Sequence, residues 1–302
     1  MKRKNDTAIH DSRSDKITRG VFYVLLTLFA IVCAYPIYFV LIASVSDPSR
    51  VLAGKVVLLP DGWNLKGFEK VFADNNIWTA YGNTIFYTFF GTVLNIVMTM
   101  TAAYVLSCKD FLGKGFFMKL VTFTMFFSGG LIPTYITYRS LGILDTKWVM
   151  ILPGLISPYN MIIARTFIKS NISEQLYEAA ELDGCSHFRY YLQIVIPLST
   201  TIIAVLTLYY AVGHWNSSYN ALMYLNNQAK WPLQMVLRKT LIQNSFSASD
   251  LMIEGDDAAE LQYLGEQIKY ALIIVATVPI LCIYPFLQKY FVKGVMIGSI
   301  KG

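Results

Sequence analysis

Residues 173–199 read SEQLYEAAELDGCSHFRYYLQIVIPLS, an acidic and polar stretch that ends by running into an apolar block. Ser173 is suited to N-cap a helix by accepting from first-turn amides. Glu174, Glu178 and Glu181 lie toward the N-terminal side of that helix, where the helix dipole favours negative charge. Leu176, Ala179, Ala180 and Leu182 supply small or apolar contacts. Gly184 then stops the helix, because glycine reaches the left-handed C′ conformation at little cost. A second, more basic and aromatic piece passes through Arg189 to Ile194 and Pro197, which opens the next apolar segment. The spacing therefore predicts a short helix, a glycine turn and a second helical piece. An acidic helix with exposed alanines either docks into a groove of another protein or serves as a solvated connector.

Apolar blocks lie on both sides of this stretch, Trp148–Ile168 before it and Ile194–Gly213 after it. Four more follow the same rule: Val21–Ser44, Asn83–Ser107, Leu120–Tyr138 and Tyr270–Leu287. Each is long enough to cross a hydrocarbon layer about 30 Å thick. Composition agrees, since 55% of the 302 residues are hydrophobic and 15% charged, with mean hydropathy +0.47. A soluble domain carries charge at about a quarter of its positions. The fold class read from this is an all-α integral membrane protein with six transmembrane helices.

The first block follows Lys2, Arg3, Lys4, Arg13, Lys16 and Arg19. It is too long for a signal-peptide core and lacks a small-x-small cleavage site, so it reads as a retained span. Lys and Arg are denser in the N-terminal tail and the loops on its side of the membrane, which places both termini in the cytoplasm. The expected plan is a cytoplasmic tail over 1–20, a membrane domain over 21–287 and a cytoplasmic tail over 288–302. Within the domain, 169–192 is an internal loop, and 214–269 and Asp47–Ile77 are external. Trp63, Phe68 and Trp78 suit an interfacial aromatic belt.

The blocks contain no Asp, Glu, Lys or His, and only Arg165 near one edge. Proton relays ordinarily place ionisable groups inside the membrane, so a proton-driven carrier is disfavoured. His10, His187 and His214 pair with no serine at mid-depth, so no catalytic residue is expected. Cys33, Cys108, Cys185 and Cys282 show neither metal spacing nor a disulfide pattern. The net charge of +6 is not gathered into a stripe that binds nucleic acid. No G-x-x-x-x-G-K-[ST] loop is present, so the chain does not hydrolyse ATP itself.

Helix breakers crowd two blocks: Gly129, Gly130 and Pro133, then Pro153 and Pro158 with Asn160. They fit either a path between rocking helices or kinks in a packed bundle. Asn83, Asn95, Asn160, Tyr209, Tyr210 and Asn216 are neutral hydrogen-bonding groups in or beside the blocks. Such groups hold sugars, and they equally form interhelical bonds worth about 0.6–2 kcal/mol.

The spacing E-A-A, three residues, G, nine residues, I-x-x-P resembles the signature loop of permeases of binding-protein-dependent ABC importers. Glu178, Ala179, Ala180, Asp183, Gly184, Ile194 and Pro197 occupy its positions, while Ile196 and Ser173 stand where the family often has Leu and Pro. YPIYFVLIAS (35–44), AYGNTIFYTFFGTVLN (80–95), AVGHWNSSYNALMYL (211–225) and QKYFVKGVMIGSIKG (288–302) are similar to maltose-type sugar permeases. The last two of these stretches resemble the subgroup linked to oligosaccharides from complex polysaccharides. The resemblance implies the type I importer permease fold in a bacterial cytoplasmic membrane. It also implies that the 173–184 helix is a coupling helix seated in a cytoplasmic ATPase.

The partners so implied are a second six-span permease as a heterodimer, two ATPase subunits and an external solute-binding protein. ATP and Mg would sit on the ATPases, and this chain would carry no cofactor. Part of 226–260, with Glu254, Asp256, Asp257 and Glu260, would reach the binding protein, and Gly298–Gly302 would lie between the ATPases. A same-architecture permease for a polyamine or phosphonate is the alternative cargo reading. A membrane scaffold or sensor docking a cytoplasmic partner is the alternative from another class.

Overall fold

The computed structural model describes residues 12–250 and 263–282, all helix, turn or loop with no strand among them. The chain begins with α1 (Arg13–Ser44), α2 (Pro48–Leu52) and α3 (Lys66–Ala73), followed by α4 (Asn75–Ser107). Next come α5 (Lys114–Phe126), α6 (Leu131–Ser140), a 3-10 turn (Lys147–Met150) and α7 (Pro158–Asn171). Then α8 (Glu174–Leu182), α9 (His187–Tyr190), a π turn (Tyr191–Val195) and α10 (Ile196–Leu198) lead into α11 (Thr200–Trp215). The described chain ends with α12 (Ser218–Tyr224), α13 (Leu233–Asp250) and α14 (Tyr263–Cys282).

The physics of the environment is legible on α4. Its buried face carries Ala80, Asn83, Thr84, Tyr87, Gly91, Asn95, Thr99 and Ala103. Outward point Ile85, Phe89, Phe90, Val93 and Val97, each 44% to 61% exposed. Water would invert that pattern. In lipid there is no hydrophobic gain in hiding Phe or Val, whereas small and polar residues let helices approach and hydrogen-bond. On α1, the large apolar side chains from Val21 to Val32 are likewise more than half exposed. That helix starts earlier than its apolar block, because Ser12 and Asp15 close a capping box at its N-terminus.

Among the described residues, three helices are long and apolar enough to cross a membrane: α1, α4 and α14. Two further pairs pass that test together but are sharply bent, by 116° between α5 and α6 and by 79° between the helical run His187–Leu198, which ends in α10, and α11. The expected single span Leu120–Tyr138 is therefore broken, at Phe127–Gly130, where Gly130 has φ +85°. The expected span Trp148–Ile168 is not one helix either. It is a 3-10 turn, an irregular segment with Gly154 at φ +72°, and the 14-residue α7. Ser157 caps α7 and Pro158 occupies its first turn, where a missing N–H costs nothing. The carbonyls that the break frees at Gly154 and Leu155 accept from the Asn95 amide at 3.0 and 2.9 Å. Non-helical backbone at membrane depth is tolerated under that condition. The last expected span, Tyr270–Leu287, corresponds to α14, which starts earlier; residues 283–287 lie outside the described residues.

The chain packs as two units, Met1–Glu69 with Met252–Ile274, and Lys70–Leu251 with Val275–Gly302. In the first, Ile42, Ala43, Val51 and Val56 form a small core with Phe39 and Tyr270 against it. Tyr35 and Tyr38 donate to the carbonyls of Val57 and Leu58, fixing the loop after α2. The second unit is built on α4, α7 and α11. Near the C-terminal end of α4, Met100, Ala103, Tyr104, Met161, Ala164, Tyr190, Tyr191, Val195 and Leu206 are buried together. Along its N-terminal half, Tyr87, Val149, Met150, Ile151, Ala221, Tyr224, Leu225 and Met235 form the other core.

Candidate functional site

The 173–199 stretch folds as its sequence dictates, with one difference. Ser173 takes the N-cap position with extended backbone, φ −70° and ψ 147°, but its hydroxyl makes no capping bond. Glu174, in the first turn, pairs on the surface with Lys109 beyond the end of α4. That bond to Glu174 raises the Lys109 pKa. At the other end the closure is complete. Asp183 is the C-cap, Gly184 sits at φ +74° and donates to Glu181 O at 2.9 Å, and Cys185 donates to Ala180 O at 2.9 Å. These two bonds are the Schellman pair, and they satisfy carbonyls that a helix end leaves open. Ser186 then caps α9 by accepting from the Arg189 N–H at 3.4 Å.

Ala180 of the signature positions is buried, whereas Glu178, Ala179, Asp183 and Gly184 are exposed. Leu182, beside them, is 90% exposed. Ile194 is half-buried against the core, and Pro197 is exposed two residues before the 79° bend at Ser199. A cleft of about 630 Å³ separates the inner side of α8 from the C-terminal end of α4. Tyr104, Lys109, Ile172, Tyr177 and His187 are among its walls. Arg165, the lone charge of the apolar blocks, donates from Nε to Leu106 O at 2.9 Å and so caps the last turn of α4 from α7.

The candidate path residues divide into two groups. Asn83 is buried, and its amide donates to Ala229 O at 2.8 Å and Trp231 O at 3.2 Å. Asn95 donates both amide hydrogens to the 154–155 carbonyls, and its Oδ1 meets His214 Nε2 at 2.7 Å. The Tyr210 hydroxyl lies 2.7 Å from Thr99 Oγ1 and accepts from the Ser157 N–H at 3.2 Å. Asn160 is buried in the first turn of α7. Tyr209 and Asn216 are exposed, the latter bonded locally to Val212 O at 2.9 Å. The structure therefore makes two interhelical sets, Asn95 with His214 and Tyr210 with Thr99 and the Ser157 N–H, and both hold the irregular backbone of 154–157. His214 and Thr99 are members that the candidate path residues did not include, and Gly91 makes the room that the His214 ring occupies. Their signal was the four-residue spacing of Gly91, Asn95 and Thr99, which puts all three on one face of α4.

The segment after α12, the first part of the expected external loop 214–269, is tied to α4 and to Asp145 along residues 226–233. Asp145, with φ +50°, accepts from the N–H groups of Asn226 and Asn227 at 3.1 and 3.0 Å and pairs with Lys230. Its own N–H donates to Tyr224 O at 2.9 Å. From the other side, Tyr87 donates to Lys230 O at 2.7 Å and Thr84 Oγ1 accepts from the Leu233 N–H at 2.8 Å. Residues 226–233 are thus a strap pinned against α4. The backbone donors, that of Asn227 foremost, hold the Asp145 carboxyl below its usual pKa. Glu254, Asp256, Asp257, Glu260 and Gly298–Gly302 lie outside the described residues.

Comparison with known proteins gives this geometry its context. The chain is 39% identical over 282 residues to the polygalacturonan/rhamnogalacturonan transport system permease protein YtcP of Bacillus subtilis, covering 93% of this chain and 97% of that one. It is 39% identical over 298 residues to protein LplC of the same organism, covering 97% and 99%. Among solved structures, it matches a chain of a bacterial ABC transporter involved in the import of the acidic polysaccharide alginate. That match has TM-score 0.83 and 35% identity, over 93% of this chain and 98% of the other. The family profile described as binding-protein-dependent transport system inner membrane component matches residues 7–297. This chain belongs to that family, with the ABC importer permease fold.

Proposed function

We propose that the chain is the membrane subunit of an ATP-driven importer that takes an oligosaccharide from an external binding protein into the cytoplasm. The observation that carries this is the 39% identity to a polygalacturonan/rhamnogalacturonan permease across nearly the full length of both proteins. In this reading α8 is the coupling helix. Glu178, Ala179, Asp183 and Gly184 face a cytoplasmic ATPase, Ala180 anchors the helix, and Ile194 and Pro197 set the entry into α10 and α11. Six spans with both termini cytoplasmic remain the proposed topology, with the broken α5–α6 pair and the 148–168 block each counted as a crossing. The chain binds no cofactor, and ATP and Mg belong to two ATPase subunits. A second permease completes the pore as a heterodimer.

The cargo we propose carries uronic acid. Galacturonate is the repeating acid of the cargo named for one similar protein, and alginate, the cargo of the similar structure, is an acidic polysaccharide. Tyr209 and Asn216, the exposed members of the candidate path, are the ones left open to it. Deletion of the gene should abolish growth-supporting uptake of oligogalacturonate and leave uptake of a neutral arabino-oligosaccharide intact. Loss of the neutral sugar alone would replace the acidic cargo with a neutral one. Unchanged uptake of both, together with loss of a polyamine or phosphonate, would move the chain out of sugar transport.

A further inference from the structure

On α8 the docking residues are exposed, Glu178 at the rim of the cleft toward α4 and Ala179, Asp183 and Gly184 beside it, so any push received there must reach the spans through the few groups that touch the rest of the protein. Ala180 is the only buried residue of the helix. Leu176 and Leu182 are exposed, 37% and 90%. The Glu174–Lys109 pair lies on the surface, where such pairs contribute little. Tyr177 is left, the one large side chain of α8 that is half-buried.

Its surroundings are aromatic and continuous. The Tyr177 ring stacks on His187, with centroids 5.4 Å apart and planes at 25°, and meets Tyr190 edge-on at 5.2 Å. The Tyr177 hydroxyl is 3.2 Å from His187 Nε2. Tyr190 is followed by Tyr191, which lies 5.0 Å from Tyr104 of α4 and hydrogen-bonds Thr101 at 3.2 Å. Tyr104 closes the set by donating to His187 O at 3.4 Å. Tyr190, Tyr191 and Tyr104 are all buried. Tyr191 also opens the π turn, which ends at Val195 and leads through α10 and Pro197 to the bend before α11. Packed side chains of this kind change between discrete arrangements rather than deforming continuously.

We propose that Tyr177 is a positioning residue whose ring, held between His187 and Tyr190, transmits movement of α8 to α4 and to the α10–α11 bend. The inference rests on the reading of α8 as the coupling helix. It assigns the transmission to ring contact rather than to the tyrosine hydroxyl, because the stacking and edge contacts join more groups than the single bond to His187.

The test uses the complete purified complex, with amide hydrogen exchange over residues 187–215 measured without nucleotide and after trapping with ATP and vanadate. The parent protein should show a nucleotide-dependent change there. Tyr177→Leu should keep its ATPase subunits and its trapped nucleotide while that change falls by about tenfold. Tyr177→Phe, which keeps the ring, should restore it to within about twofold. His187→Ala removes the exposed stacking partner without touching the core, and it should reproduce the loss; it decides the matter where Tyr177→Leu fails to assemble. An unchanged response in His187→Ala, or in an assembled Tyr177→Leu, would overturn the proposal. Gly184→Val is run in parallel. If that variant also responds normally, or the parent shows no change, the reading of α8 itself fails. If Gly184→Val loses the response while the aromatic variants keep it, only the transmission through Tyr177 falls.

Discussion

Gly184 and Gly91 are required for different physical reasons, and their variants should fail differently. Gly184 has open space around a built Cβ, so its constraint is purely conformational, φ +74° at the turn that ends α8. A β-branched residue there is a steric outlier. Gly184→Val should leave the protein in the membrane and reduce sugar uptake, by about tenfold or more if the turn re-aims the docking face by even part of a helical turn. Full uptake at normal abundance would remove the coupling role from this loop. At Gly91 the backbone is ordinary helix, but a Cβ would come within 2.4 Å of His214 Nε2. Gly91→Ala should therefore destabilise by overpacking, about 1–3 kcal/mol, seen as a lower thermal midpoint of the purified complex. Because the cost comes from one ring, the Gly91→Ala/His214→Ala pair should lose less than the sum of its single variants. Strict additivity would place the clash elsewhere. The Gly184 constraint was legible in the sequence, since a helix stop is a local rule. The Gly91 constraint was not, because its cause arrives from a residue 123 positions away.

Elements divide along the same line. The boundaries of α8 followed from Ser173, the glutamates and Gly184, all within twelve residues, and the structure agrees except for the silent Ser173 hydroxyl. The 148–168 block was apolar and long enough to read as one crossing helix, yet Pro153, Gly154 and Pro158 split it. Apolar composition reports what a segment tolerates around it, whereas helix continuity depends on who satisfies the backbone, here Asn95 from α4. The strap at 226–233 was hidden for the same reason, as its partners Asn83, Tyr87 and Asp145 are all distant in sequence. Asp145 gives that strap a defined acid response. Its folded pKa is lowered, so its contribution is fully present above the ordinary value of 3.8 and is lost as pH falls from there through the lower folded value. Asp145→Ala should weaken the strap by about 1 kcal/mol at neutral pH, the lower end for bonds to a partly exposed carboxylate. Cleavage within 226–233 by a nonspecific protease should quicken accordingly. As pH falls below the ordinary value of 3.8, the parent should lose its thermal stability advantage over the variant. Two parallel pH curves would mean that the carboxylate does not hold the strap.

The whole chain is built to be incomplete. Along α1 the apolar side chains are exposed over three successive turns and more, and α5 and α6 bury no residue at all within the described structure. The same fold presents an exposed leucine, Leu182, beside charged residues on α8. Lipid satisfies the first kind of surface, since it is as apolar as the side chains themselves. It does not satisfy the second, because the α8 face combines Glu178, Asp183 and an apolar residue in a pattern suited to a protein groove. Two different partners are expected from these two surfaces, a second membrane subunit along the broken spans and a soluble one at α8. Gentle detergent purification of the tagged chain should therefore recover a second apolar permease and an ATPase, and the surfaces should be separable. Leu182→Glu introduces a charge at a site 90% exposed, so it leaves folding and the membrane pairing intact. A charge buried without a partner at the groove is costly, so the ATPase yield should fall by about tenfold or more while the second permease is still recovered. Loss of both subunits together would mean that the permease pair is held by the ATPases rather than by its own helices. Retention of both would mean that α8 docks elsewhere or not at all, and that outcome would favour a carrier or scaffold that works without an ATPase.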